Sequence, residues 1–178
     1  MKITQKHLTL GKPARSGIKF AKKLERIIIH WIGPYPNQVV STPWQWWENG
    51  SDGKGVQASA HFIVKDDDII QCLPLNEVGW HSGDMRNYDS IGIEVIPMNV
   101  AGEFSKTTIE TLKLLIQHIR QETGLDLPLK RHFDGVQGKP CPQYYTDFSK
   151  VPGGQQRWEE LKQILNGGTG DVDEHRRI

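Results

Sequence analysis

The segment 25–32, ERIIIHWI, is the strongest constraint on what this chain can fold into. Three consecutive isoleucines, each branched at Cβ, favour extended backbone and burial, so the segment reads as an interior strand ending in His30 and Trp31. A hairpin follows at SAHFIVKDDDIIQCLP, with a polar turn at Asp66 to Asp68 and a stop at Pro74. Residues 90–96, SIGIEVI, form a third strand.

Helices separate these strands. Thr42 is expected to cap a short helix, WQWWE, with Pro43 in its first turn and Gly50 at its end. The clearest helix has Thr107 and Glu110 as a capping box, with Ile109, Leu112, Ile116 and Ile119 at helical spacing up to Gly124. A last helix over 154–165 places Trp158, Leu161 and Leu165 on one face. Between these two lies LPLKRHFDGVQGKPCPQ, which reads as a loop. Strands interleaved with helices indicate an α/β domain whose sheet is packed by helices, and 178 residues suffice for one core.

Charge narrows the partners. The formal net charge is +1, which gives no global case for nucleic acid. Residues 1–26 are uneven, carrying eight basic residues against Glu25 alone. They read as a solvated extension, or as an arm for an anionic polymer, for which teichoic acid or a membrane surface would serve as well as nucleic acid. No apolar run approaches the roughly 20 residues that span a bilayer. The N-terminus also lacks the apolar core of a secretory signal, so cytoplasmic synthesis is expected. Cys72 and Cys141 cannot form a disulfide framework and read as free thiols.

Of the seven histidines, His7 and His175 fall near the ends and His118 on the polar face of its helix. His61 reads as a structural strand histidine, and Cys72 as a small buried side chain. His30 stands where a strand leaves the sheet. His132 and Cys141 lie nine positions apart in the Gly/Pro-rich loop. Two imidazoles and a thiolate form a three-ligand zinc set that leaves a fourth position for water. Spacing alone leaves ordinary core or surface histidines open as the reading. Trp44, Trp46 and Trp47 crowd one short helix and cannot all face inward, whereas Trp31 and Trp158 are expected in the core.

Four segments in order, IIIHWIG, SAHFIVKDDDIIQCLP, VGWHSG with NYDSIGIEV, and RHFDGVQGKPCP, resemble the type 2 N-acetylmuramoyl-L-alanine amidases. That family includes phage endolysins and bacterial autolysins and is related to the peptidoglycan recognition proteins. The resemblance spans roughly 24–165, leaving 1–23 as a basic extension packed on or near the domain and 166–178 as a linker or tail. It implies a single α/β domain with a central mixed sheet flanked by helices. It also implies zinc held by His30, His132 and Cys141, Glu94 as general base, and Lys139 as charge stabiliser. Trp31, Trp80 and His81 are implied to line the substrate groove. Some relatives carry a catalytic tyrosine where this chain has Ala60, so the acid–base work is expected to fall on Glu94.

The implied reaction is hydrolysis of the amide between N-acetylmuramic acid and L-alanine in peptidoglycan, which lyses the wall. Zinc can bring the pKa of bound water towards about 7, and a carboxylate can move the proton. For Glu94, the competing reading is a solvent-facing strand carboxylate. Its neighbours Ile91, Ile93, Val95 and Ile96 disfavour that, because both faces of the strand read as covered. Lys139 could equally be a solvated loop lysine. Rival functions are a non-catalytic peptidoglycan-binding module and a metallopeptidase cutting within the stem peptide. A purely structural zinc is disfavoured by the missing fourth ligand.

Overall fold

In the computed structural model, residues 1–136, 138–148 and 152–168 are described. The tail expected over 166–178, with His175, therefore lies mostly outside the described residues. Six strands form one mixed sheet: β1 (Ile3–Gln5), β2 (Arg26–Trp31), β3 (Phe62–Lys65), β4 (Asp68–Gln71), β5 (Ser90–Val95) and β6 (Leu129–Arg131). Their spatial order is β1-β4-β3-β5-β2-β6. Only β3 and β4 are antiparallel, as the hairpin requires, and every other pair is parallel. The fold is the α/β sheet flanked by helices that the sequence implies.

The helices are α1 (Ser41–Asn49), α2 (Lys106–Thr123) and α3 (Gly154–Leu165). One face of the sheet carries Ile27, Ile29, Phe62, Val64, Ile91, Ile93 and Val95, packed against α2 and α3 through Leu112, Leu115, Ile116, Ile119, Trp158 and Leu161. The other face packs Ile63, Ile70, Cys72, Leu73 and Ile96 against Trp47 and the N-terminal residues Leu8 and Ala14. Burying each isoleucine contributes roughly 1.5–3 kcal/mol, so ERIIIHWI is anchored from both sides.

Several local expectations shift. Helix α1 starts at Ser41, after Val40, so Thr42 lies inside it and makes no cap. Helix α2 is capped by Ser105, whose side chain accepts from Thr108 N–H at 3.1 Å, and not by Thr107. Ser105 also donates to Asp66 at 2.6 Å, which ties the helix to the β3–β4 turn. Gly124 ends α2 in the left-handed region at φ 65°, as expected of a C-terminal glycine. The stretch read as loop contains β6, three residues pairing with β2 at the sheet edge, too short for its pattern to stand out between prolines.

The N-terminal segment is bound to the domain and is not a solvated arm. Strand β1 pairs with β4, and Leu8 N–H donates to the Cys72 carbonyl at 2.9 Å. Its basic residues meet buried acids. Lys12 lies 3.1 Å from Glu48, and Arg15 and Lys19 lie 2.7 and 3.0 Å from Glu77. Pairing with three cations leaves less free charge for an anionic polymer than the count of basic residues implies. In α1, Trp47 is buried and Trp46 is 52% exposed, while Trp44 Nε1–H donates to the Lys6 carbonyl at 2.6 Å.

The Arg15 guanidinium holds the Glu77 carboxyl at about 2, below its ordinary value of 4.5. A carboxyl depressed in the folded state stabilises the protein above its unfolded pKa, and that contribution is lost as pH falls towards 2. Glu77→Gln is therefore expected to lower unfolding stability near neutral pH by about 1–3 kcal/mol, because the half-buried Arg15 loses its charged partner. The difference from the parent should shrink between pH 5 and pH 2, read by urea titration at each pH. A difference that does not change with pH would sink this account.

Candidate metal centre

The sheet register builds the site. On the parallel pair β2 and β5, His30 stands opposite Glu94, one position before each strand ends. Directly opposed residues on neighbouring strands point to the same face, so the imidazole and the carboxylate are side by side. The chain after β6 then turns through a 3-10 segment, His132–Gly135, and returns with Cys141, whose carbonyl accepts from Phe133 N–H at 2.9 Å.

These turns bring His30, His132 and Cys141 together. Their ligand-type atoms all lie within 4.8 Å of one another, although His30 and His132 are 102 positions apart in sequence. The rings of His30 and His132 meet edge to face with centroids 4.6 Å apart. His30 Nδ1 is 3.7 Å from Cys141 Sγ. All three residues are buried. Burial lowers His30 well below the ordinary histidine value and takes His132 to about 4, so both imidazoles are neutral at pH 7. Two neutral ring nitrogens and a thiol, converging and shielded, are a donor set that fits a divalent ion of the zinc type.

Glu94 is the fourth polar group at this end of the sheet. Its Oε2 is shielded from solvent and has no hydrogen-bond partner among the described residues. Burial pushes its carboxyl up to about 7, while the charge of Lys139 pulls the other way. Lys139 is exposed, yet its charge also lowers His30, His132 and Cys141, which places it within electrostatic reach of the whole cluster. Burial pushes the Cys141 thiol up, and the neighbouring Glu94 charge adds to that.

The remaining residues singled out by sequence are placed differently. Trp31 follows His30 and packs its ring over Gly102 on the α2 side of the sheet. Trp80 stacks edge-on against Tyr88 with centroids 6.1 Å apart, and its shielded Nε1 has no partner among the described residues. His81 is 8% exposed and its ring faces His30, with Nδ1 3.0 Å from His30 Nε2. His61 is enclosed: Nε2 lies 2.8 Å from the Glu77 carbonyl and Nδ1 accepts from Gly92 N–H at 3.1 Å. Burial lowers it to about 4, as suits a structural histidine.

Asn87 is a functional candidate that sequence reasoning misses. Its Oδ1 accepts from His81 N–H, Ser82 N–H and Ser82 Oγ–H at 3.0, 2.8 and 2.9 Å. Its only signal in the sequence is a place inside the NYDSIGIEV segment. A surface cavity of about 860 Å³ lies elsewhere, between β6 and α3, and is lined by Arg131, Phe133, Phe148 and Trp158. None of the three converging side chains lines it.

Comparison with known proteins agrees with the fold and the segments. A family model described as N-acetylmuramoyl-L-alanine amidase matches residues 21–144, and the chain belongs to that family. The N-acetylmuramoyl-L-alanine amidase XlyA of Bacillus subtilis (strain 168) is 36% identical over 113 residues, which cover 62% of this chain and 34% of that protein. The amidase CwlH of the same strain is 38% identical over 93 residues, covering 50% of this chain and 36% of that protein. The chain thus spans about a third of the length of these two relatives. A solved structure of a mutant endolysin from Bacillus subtilis superposes with a TM-score of 0.70 at 27% identity, covering 92% of this chain and 98% of that one.

Gly92 leaves no room for a side chain. A Cβ built there would sit 2.5 Å from His81 Cγ, well inside contact distance. Gly92→Ala is expected to destabilise the protein by about 1–3 kcal/mol through overpacking, read as a lower urea midpoint at unchanged slope. A variant as stable as the parent would mean that the His81 ring has space to retreat.

Proposed function

We propose that this chain is a zinc-dependent N-acetylmuramoyl-L-alanine amidase domain that cleaves the amide between N-acetylmuramic acid and L-alanine in peptidoglycan, causing wall lysis. The observation that carries this reading is the convergence of His30, His132 and Cys141 within 4.8 Å beside the shielded, unpartnered carboxylate oxygen of Glu94. Family membership and the two Bacillus amidases support the reaction class.

In this reading His30, His132 and Cys141 hold zinc. The ion supplies Lewis acidity that lowers the pKa of water and polarises the scissile carbonyl. Glu94 takes a proton from the attacking water as its oxygen bonds to the carbonyl carbon. The same carboxyl returns a proton to the alanine nitrogen as the C–N bond breaks, so the products are a free lactyl carboxylate and a free amine. A carboxyl raised to about 7 by burial is matched to moving a proton in both directions near neutrality. Lys139 meets the oxyanion charge from the open side. No tyrosine precedes His61, where Ala60 stands, so Glu94 carries the proton transfer. Trp80, next to His81 in the chain, is the tryptophan offered for substrate contact, whereas Trp31 packs on the α2 side of the sheet, away from His30 and Glu94. Beyond β2, Tyr35 and Trp46 are 54% and 52% exposed beside a cavity of about 390 Å³ and offer stacking faces to a sugar.

No described helix is long and apolar enough to cross a membrane.

Mass spectrometry of digested peptidoglycan tests the bond. Released stem peptides beginning at L-alanine are expected. Intact sugar–peptide links with cut peptides would point to a peptidase, and bound but uncut walls to a binding module. Glu94→Ala is expected to keep fold and zinc while losing about 10²–10⁴-fold in wall-clearing rate. Cys141→Ser should weaken zinc binding. Parent rates in both variants would overturn the mechanism.

A further inference from the structure

A ligand imidazole offers one nitrogen to a metal, and the hydrogen bond made by the other nitrogen fixes which one it is. In His30, Nδ1 faces Cys141, while Nε2 is 3.0 Å from Nδ1 of His81. In His132, Nε2 is 2.9 Å from the Ser82 carbonyl oxygen. A carbonyl oxygen only accepts, so His132 carries its hydrogen on Nε2 and keeps the Nδ1 lone pair free. Two consecutive residues, His81 and Ser82, thus engage the outer nitrogens of both candidate ligands.

This pair is itself held. Asn87 Oδ1 accepts from both of their backbone N–H groups and from the Ser82 hydroxyl. Asn87 is 5% exposed, so the clamp is shielded from competing water. Gly92 closes against the His81 ring from below. His61, which fixes Gly92 through its N–H, stands behind that contact.

We propose that His81 and Ser82 form one positioning unit, clamped by Asn87, that sets both His30 and His132 as Nδ1 ligands. In it, His30 Nε2–H donates to His81 Nδ1 and His132 Nε2–H donates to the Ser82 carbonyl. The inference rests on the zinc reading above and deepens it. It gives His81 a task different from the substrate contact implied by family resemblance. A ring turned to His30 at a centroid distance of 5.1 Å and 8% exposed has little surface left for a sugar or peptide.

The test measures zinc affinity by competition with a chromophoric chelator, for the parent and two variants. His81→Phe keeps a ring but removes the acceptor. His81→Asn restores an acceptor near the place of Nδ1. His81→Phe is expected to weaken zinc binding by about 10–100-fold, and His81→Asn to recover most of that loss. A role in packing alone would rank the two the other way, because Phe fills the space better. Imidazole ¹⁵N spectra of the zinc-loaded parent, which need no variant, are expected to show His30 and His132 bound through Nδ1 and protonated at Nε2. The proposal is overturned if folded His81→Phe binds zinc as tightly as the parent, if His81→Asn is as weak as His81→Phe, or if His30 binds through Nε2. Cys141→Ser in the same titration separates the two levels. If it binds weakly while His81→Phe does not, only the positioning role falls. If the parent binds no zinc, the metal reading falls with it.

Discussion

One pairing register, His30 opposite Glu94 on parallel strands β2 and β5, is what the rest of the site depends on. The side-chain period of a strand is two, so a slip of either strand by one residue would turn its group to the face opposite the other. Hydrophobic burial forbids that slip. Ile27 and Ile29 share a core with Ile91 and Ile93 under α2 and α3, and all four are fully buried. A slip would instead drive His30 or Glu94 into that apolar core without a partner, at about 1–3 kcal/mol for each polar group so buried. The apolar residues therefore aim the polar ones.

The N-terminal segment extends this dependence beyond the strands. Arg15 pairs with the Glu77 carboxylate, and the Glu77 carbonyl accepts from His61 Nε2–H. His61 Nδ1 accepts from Gly92 N–H, Gly92 abuts the His81 ring, and His81 meets His30. A continuous path of hydrogen bonds and one tight contact thus runs from a basic segment at residue 15 to the candidate metal ligands. Charge that the sequence presents as an exposed arm acts here as internal bracing.

What was legible in the sequence and what was not follows from the range of the interactions. Strand β2, the β3–β4 hairpin, β5, α2 and α3 have apolar periods that stand out locally, and the structure contains them. Strand β1 and β6 are three residues each, and nothing in ITQ or LKR is apolar enough to announce a strand before its partner is known. The Ser105 cap depends on Asp66, 39 positions away, so local spacing favoured Thr107 instead. Motif resemblance points to the residues proposed for zinc and proton transfer. Their convergence belongs to the register and the return of the 132–141 turn, which no local pattern encodes. Asn87 and the Ser82 carbonyl escaped because backbone acceptors and clamps carry no signature of their own.

The polar groups at this end of the sheet share one physical origin for their departures from ordinary behaviour. Removal from water lowers His30 and His132, raises Glu94 and Cys141, and leaves Glu94 Oε2 and Trp80 Nε1 without partners among the described residues. Each shielded, unpartnered group opposes folding by about 1–3 kcal/mol. Such a concentration at one place, in a chain whose other buried polar groups are mostly satisfied, is what a site kept for chemistry costs in stability. An ion at the junction of three of these groups would reverse the sign of their contribution, turning neutral nitrogens and a buried sulfur from a liability into a source of folding energy. On that argument the same burial that makes the cluster costly when empty is what would make it selective and tight when filled.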